Sequence, residues 1–158
     1  LELLARHPVK LLSTDQLYES LKLALADPKL DLRTYDRKAS SKFGESSPVG
    51  DEYTEFQRLF ETDENDRKKF THGIPQFLAL LNHPRVSSGG PAVERLVKEN
   101  APAESVVDEL YLGTLSRLPT SLERTEALAF VTESAGPREA YAGILWMLLN
   151  RSEFMLLR

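Results

Sequence analysis

The chain is predicted to be all-α, an irregular bundle of six or seven short to medium helices in orthogonal or layered packing. Three observations predict this. Apolar residues recur at three- and four-residue spacings along much of the chain, as in Leu17, Leu21 and Leu25 or Tyr141, Ile144, Leu145 and Leu148. Prolines and helix-capping residues punctuate those runs at short intervals. Period-two alternation is scarce, and so are β-branched residues, which leaves little material for a sheet.

The elements follow in order. Ser13-Thr14-Asp15-Gln16 is a capping box, in which Ser13 caps and Gln16 reaches back. The stripe Leu17, Tyr18, Leu21 and Leu25 follows, and Asp27-Pro28 ends the run because proline restricts its predecessor. Residues 28–50 are polar and serine-rich and read as an irregular loop or linker closed by Ser47-Pro48-Val49-Gly50. A short helix is expected over 51–60 on Tyr53, Phe56, Leu59 and Phe60, then a charged turn over 61–70. That turn lacks the alternating oxygen ligands, central glycine and closing glutamate of a calcium loop. Pro75 opens a helix with Phe77, Leu78 and Leu81 inward, and Asn82-His83-Pro84 stops it.

Pro91 opens a helix through Asn100 on Val93, Leu96 and Val97, with Glu94 and Lys98 spaced for an ion pair. Pro102 opens the next, on Val106, Val107, Leu110, Tyr111, Thr114 and Leu115, and Gly113 marks an expected close crossing. Leu118-Pro119 ends it. Thr120-Ser121-Leu122-Glu123 is a second capping box, with Pro119 just outside the cap. It starts a helix on Leu122, Ala127, Leu128 and Val131, which Gly136 terminates. Pro137 opens the most apolar helix, whose inward set is Tyr141, Ile144, Leu145, Leu148 and Leu149. Trp146, read as a core anchor, and Met147 broaden its apolar face. Ser152 is placed to cap a terminal turn carrying Phe154 and Leu157.

Composition narrows the function classes. The chain has 158 residues, the size of one domain, and is 41% hydrophobic, enough for a core without staples. Its net charge of -4 gives no case for nucleic acid or for an anionic lipid surface. The absence of cysteine rules out disulfides, thiolate metal sites, a cysteine nucleophile and thioether haem attachment in this segment. No run approaches the ~20 apolar residues of a membrane span. Opening on Leu1 rather than methionine, the chain reads as a piece of a larger protein.

No catalytic constellation is legible. The three histidines, His7, His72 and His83, are not spaced to share a metal. His72 and His83 would stand about 15 Å apart along an intact helix, and read best as loop residues whose imidazoles hold turns. Asp108 and Glu109 are adjacent and so point apart on a helix, whereas Glu123 and Glu126 are neighbours across one turn. Ser87-Ser88-Gly89-Gly90 lacks the lysine and the preceding strand of a phosphate loop and reads as a turn. Arg117 sits at a helix C-terminus, where a cation suits the dipole. It is placed to brace the next turn or to bind a ligand. No metal and no cofactor are expected.

Two blocks of the sequence form a pattern of their own. Leu110-Tyr111-Leu112-Gly113-Thr114-Leu115-Ser116-Arg117-Leu118-Pro119-Thr120-Ser121-Leu122-Glu123-Arg124 resembles the signature of the C-terminal planctomycete PSD-one domain, a domain of unknown function. Ile144-Leu145-Trp146-Met147-Leu148-Leu149-Asn150-Arg151-Ser152-Glu153-Phe154 resembles it too. The stretches 13–21 and 73–82 are similar to two further blocks, and 28–70 is not. The resemblance implies a large multidomain parent that also carries a planctomycete cytochrome-c-like domain, with an extracytoplasmic or cell-surface location. Any haem would belong to another domain. It transfers no catalytic residue. The matched Arg117, Pro119, Thr120, Glu123, Trp146, Asn150, Glu153 and Phe154 have helix-end and core explanations.

Three readings follow. In the first, the chain is a non-catalytic docking or assembly module that packs on other domains of its parent, and it exposes a contiguous apolar patch. In the second, it completes an enzyme active site with a preceding region, through Arg117, Asn150 and Glu153 or through His72 and His83. In the third, it binds nucleic acid through Arg33, Arg37, Lys38 and Lys42.

Overall fold

The computed structural model describes residues 10–28, 30 and 83–157. The helices expected over 51–60 and 75–82, the charged turn 61–70, most of the 28–50 loop, His7, His72, Pro75, and the basic set Arg33, Arg37, Lys38 and Lys42 lie outside the described residues. Within them the fold is an all-α irregular bundle. The helices are α1 (Thr14–Ala24), α2 (Pro84–Ser87), α3 (Gly90–Glu99), α4 (Ala103–Leu115), α5 (Ser121–Glu133), α6 (Pro137–Leu149) and α7 (Ser152–Met155).

One small sheet accompanies them. β1 (Lys10–Leu11) and β2 (Leu156–Leu157) pair antiparallel, Lys10 opposite Leu157 and Leu11 opposite Leu156. The Leu12 amide donates to the Met155 carbonyl at 2.9 Å and extends the pairing. Two residues per strand are too few to show period-two alternation, so sequence patterning had no signal for this ribbon.

The core is built on α6. Its Ala140, Tyr141, Ala142, Ile144, Leu145, Leu148 and Leu149 are buried. Each large apolar side chain among them contributes roughly 1.5–3 kcal/mol on burial. Helix α6 packs against α4 above all, and also against α2, α3, α5 and α7, while α1 reaches it through α4. From α4 come Val106, Val107, Leu110 and Tyr111, from α3 Ala92, Val93 and Leu96, and from α1 Leu17, Tyr18, Leu21, Ala24 and Leu25. Helix α5 differs. It buries only Ala127, and Leu122, expected inside, is 67% exposed. Leu122 lies in the first turn, on the side of α5 turned away from α4 and α6.

The helix ends explain themselves chemically. At α1 the Ser13 hydroxyl accepts from the Gln16 amide at 3.3 Å and the Gln16 side chain accepts from the Ser13 amide at 2.9 Å. Its far end closes in a Schellman motif, with Asp27 N–H donating to Lys22 O and Ala26 N–H to Leu23 O. The left-handed residue there is Ala26, at φ 50°, so the helix stops before Asp27-Pro28. Gly89, at φ 74°, joins α2 to α3, and a Cβ there would stand 2.2 Å from Val93 Cγ2, which only glycine avoids.

Other expectations need correction. A Cβ on Gly113 would meet nothing within 4 Å, so that glycine marks no crossing. The close approach is at Gly143, where a Cβ would stand 2.9 Å from the Phe130 ring. Glu94 pairs with Arg138 across helices, not with Lys98 within its own. Gly136 is extended and serves as the N-cap of α6, while α5 ends at Ser134. Ser152 is the first helical residue of α7, not a residue preceding it. Trp146 is no core anchor. It is 39% exposed, because α6 already buries its opposite face.

Candidate functional site

Two features stand out among the described residues. The first is an ionic clasp where α4, α5 and α7 meet. The C-terminus of α4 turns through left-handed Ser116 at φ 55° and delivers Arg117 toward the start of α5. Thr120 caps α5: its hydroxyl accepts from the Glu123 amide at 3.3 Å, and Glu123 accepts from the Thr120 amide at 2.8 Å. The capping box thus holds the Glu123 carboxylate facing Arg117.

Arg117 Nη1 and Nη2 donate to Glu123 at 2.8 and 2.9 Å. Its Nε and Nη2 donate to Glu153, from α7, at 3.0 and 2.9 Å. Nη1 also donates to the Leu118 carbonyl at 3.1 Å. All five N–H groups of the guanidinium are therefore used. Arg151 adds a short contact to Glu123. Glu123 accepts from Arg117 twice, from Arg151 and from the Thr120 amide, which fills the about four acceptor positions of a carboxylate. The guanidinium also lies 5.7 Å from the centroid of the buried Tyr111 ring.

The electrostatics follow from this saturation. Arg117 holds the Glu123 carboxyl well below its ordinary value, and Arg151 and Thr120 add to the effect against the opposing cost of burial. Glu123, then Glu153, raises Arg117 in return. Burial, with Glu123 adding to it, raises the Tyr111 phenol. Two arginines and two glutamates sum to no net charge, so the cluster bears little self-repulsion in its half-buried setting.

The structure thus brings Arg117, Glu123 and Glu153 together, and they consume one another. Asn150, the C-cap of α6, donates through Nδ2 to the Trp146 carbonyl at 2.6 Å. His83 is buried, and its Nδ1 accepts from the Arg85 amide at 3.2 Å, capping α2. Arg85 reaches back to the buried Asp27 at 2.6 Å and ties α2 to the end of α1. Pro119 and Phe154 are buried beside the clasp. Among the described residues no group of three or more His, Asp or Glu side chains is placed to hold a metal ion. None of their helices is long and apolar enough to cross a membrane.

The second feature is an apolar face on α5 and α6. Gly143, Trp146, Met147 and Asn150 share the side of α6 opposite the core. Trp146 and Met147 lie one turn beyond Gly143 on that side. The Phe130 ring of α5 lies on that same glycine. Phe130, Trp146 and Met147 are 45%, 39% and 37% exposed. Phe130 falls off the stripe Leu122, Ala127, Leu128 and Val131, so the pattern of its own helix assigns it no place. An aromatic off the stripe of its own helix was the available signal. Arg151 and Asp27 had none, since their partners lie 28 and 58 residues away.

No family model, curated protein or solved structure matches the chain.

Proposed function

We propose that the chain is a non-catalytic helical docking or assembly module of a large multidomain protein, and that it packs on other domains of that same parent. The observation that carries this reading is the apolar face of α5 and α6. A helix that has already buried one side in the core would leave water-facing positions to polar residues. Here those positions hold Trp146 and Met147, with Phe130 laid alongside. Tryptophan, methionine and phenylalanine are enriched where proteins meet one another. The clasp supports the same reading, since the Arg117 guanidinium and the Glu123 carboxylate have no bonding capacity left for a substrate. The likeness of both clasp-bearing segments to the planctomycete PSD-one domain supports a cytochrome-c-associated parent, and on that ground alone an extracytoplasmic or cell-surface location.

Zero-length carboxylate-to-amine cross-linking of the intact parent, read by mass spectrometry, tests the proposal. Links from Glu126, Glu133 or Glu139, the carboxylates flanking the apolar face, to lysines of other domains of the same polypeptide are expected. A face that stays unlinked while links gather at a substrate-processing partner would reject the docking reading.

A further inference from the structure

The charges around the apolar face single out one kind of occupant. Among the described acidic residues, Glu19, Asp27, Glu94, Glu99, Glu104, Asp108, Glu109, Glu123 and Glu153 all stand in ion pairs. Glu126, Glu133 and Glu139 are exposed and enter no ion pair among the described residues. These three sit on the two helices that carry Phe130, Trp146 and Met147. In α5, Glu126 and Glu133 lie one turn to either side of Phe130, about 10 Å apart along the axis. In α6, Glu139 lies one turn before Gly143, on the side that carries Trp146.

Among the described residues no unengaged cation on the face offsets them. Arg138 is engaged by Glu94, Arg124 by Asp108 and Glu104, and Arg151 by Glu123. Local helix chemistry accounts for Glu139, which sits in the first turn of α6, where a carboxylate suits the dipole. It does not account for Glu133, which sits in the last turn of α5, a turn that holds no basic residue. That position disfavours a carboxylate.

We propose that the outer face of α5 and α6 docks a basic amphipathic helix. The apolar stripe of that helix covers Phe130, Trp146 and Met147, and its lysines or arginines meet Glu126, Glu133 and Glu139. The proposal rests on the docking reading above and gives its partner a chemistry. An apolar stripe in a groove supplies affinity, and the carboxylate rim selects the sign of charge and speeds encounter. The same rim repels an anionic membrane surface.

Trp146 is the only tryptophan of the chain, so its emission reports on the face directly. The test uses the 158-residue chain and two tryptophan-free helical peptides with one leucine stripe, one flanked by lysines and the other by glutamates. The lysine peptide is expected to shift Trp146 emission to the blue, with affinity falling about tenfold between low and moderate salt. The glutamate peptide is expected to do neither. The combined Glu126→Gln, Glu133→Gln and Glu139→Gln variant should bind the lysine peptide about tenfold more weakly with an unchanged melting curve. Glu133→Lys combined with Glu126→Lys should reverse the preference. Equal binding of both peptides would overturn the charge assignment and leave docking intact. Binding of neither would overturn the inference, and the cross-linking experiment would still decide the docking reading. A blue shift with anionic phosphatidylserine vesicles in place of the lysine peptide would also overturn it.

Discussion

The chain contains the same local motif twice, with different consequences. Ser13 and Gln16 form a capping box at the start of α1, and Thr120 and Glu123 form one at the start of α5. The backbone bonds of the two boxes nearly coincide, at 3.3 and 2.9 Å in the first and 3.3 and 2.8 Å in the second. Both residues of the first box are exposed, and the helix it opens is held by its buried stripe of Leu17, Leu21 and Leu25. The second opens a helix that buries only Ala127, and its reciprocal residue is charged. Glu123 therefore does two jobs: it caps α5 and anchors it through Arg117 to α4 and α7. A helix that buries little of its apolar surface is docked by ion pairs at its start, where the capping box has already positioned the acid.

The largest effect that tests this contrast is expected for Glu123→Gln. Glutamine keeps the reciprocal cap, as Gln16 shows, but removes the charge that faces Arg117 and Arg151. A loss of about 2 kcal/mol is expected, between the values for surface and buried ion pairs. Gln16→Glu should change stability by less than about 0.5 kcal/mol. Equal small effects from both substitutions, measured by urea unfolding, would erase the distinction between the boxes.

Acid should have the next largest effect. Glu123 titrates lower folded than unfolded, so the unfolded chain binds the proton first as pH falls. Its stabilising contribution is complete above the ordinary glutamate value of 4.5 and is lost as pH falls from there toward the lowered folded value. Discounted for the part-exposed arginines, about 1–2 kcal/mol is at stake. Glu123→Gln should flatten this acid limb relative to the parent chain, and a limb of unchanged steepness would assign it to other carboxylates.

Thr120→Ala and Ser13→Ala isolate the part the boxes share. Each should cost about 1 kcal/mol, with little dependence on salt. A Thr120→Ala loss that vanishes in concentrated salt would mean that the hydroxyl matters only through the clasp. A gain, smaller than these losses, is expected at the other end of α1. Ala26 occupies a left-handed position that glycine adopts without strain, so Ala26→Gly should raise stability by about 0.5–1 kcal/mol in thermal unfolding.

Ser13, Gln16, Thr120 and Glu123 were legible because a capping box closes within four residues, and so were the prolines that open α3 and α6. Tyr141, Ile144, Leu145 and Leu148 were legible because a helix that faces a core must repeat them. Trp146 misled because hydrophobicity alone does not say which of two apolar sides of a helix is covered. Gly113 and Gly143 are indistinguishable in sequence, since only the neighbouring helix decides which of them receives the Phe130 ring.

The sequence by itself determined the all-α class, most helix boundaries among the described residues and the stripe that α6 buries. Those depend on bonds and periodicities that repeat within a few residues. Tertiary structure alone decided that Arg117 would join residues 6 and 36 positions away, that Asp27 would meet Arg85, and that the Phe130 ring would lie on Gly143 while Trp146 and Met147 stay exposed. Those contacts depend on how helices of nearly interchangeable amphipathic pattern cross, and the packing of the whole core sets that.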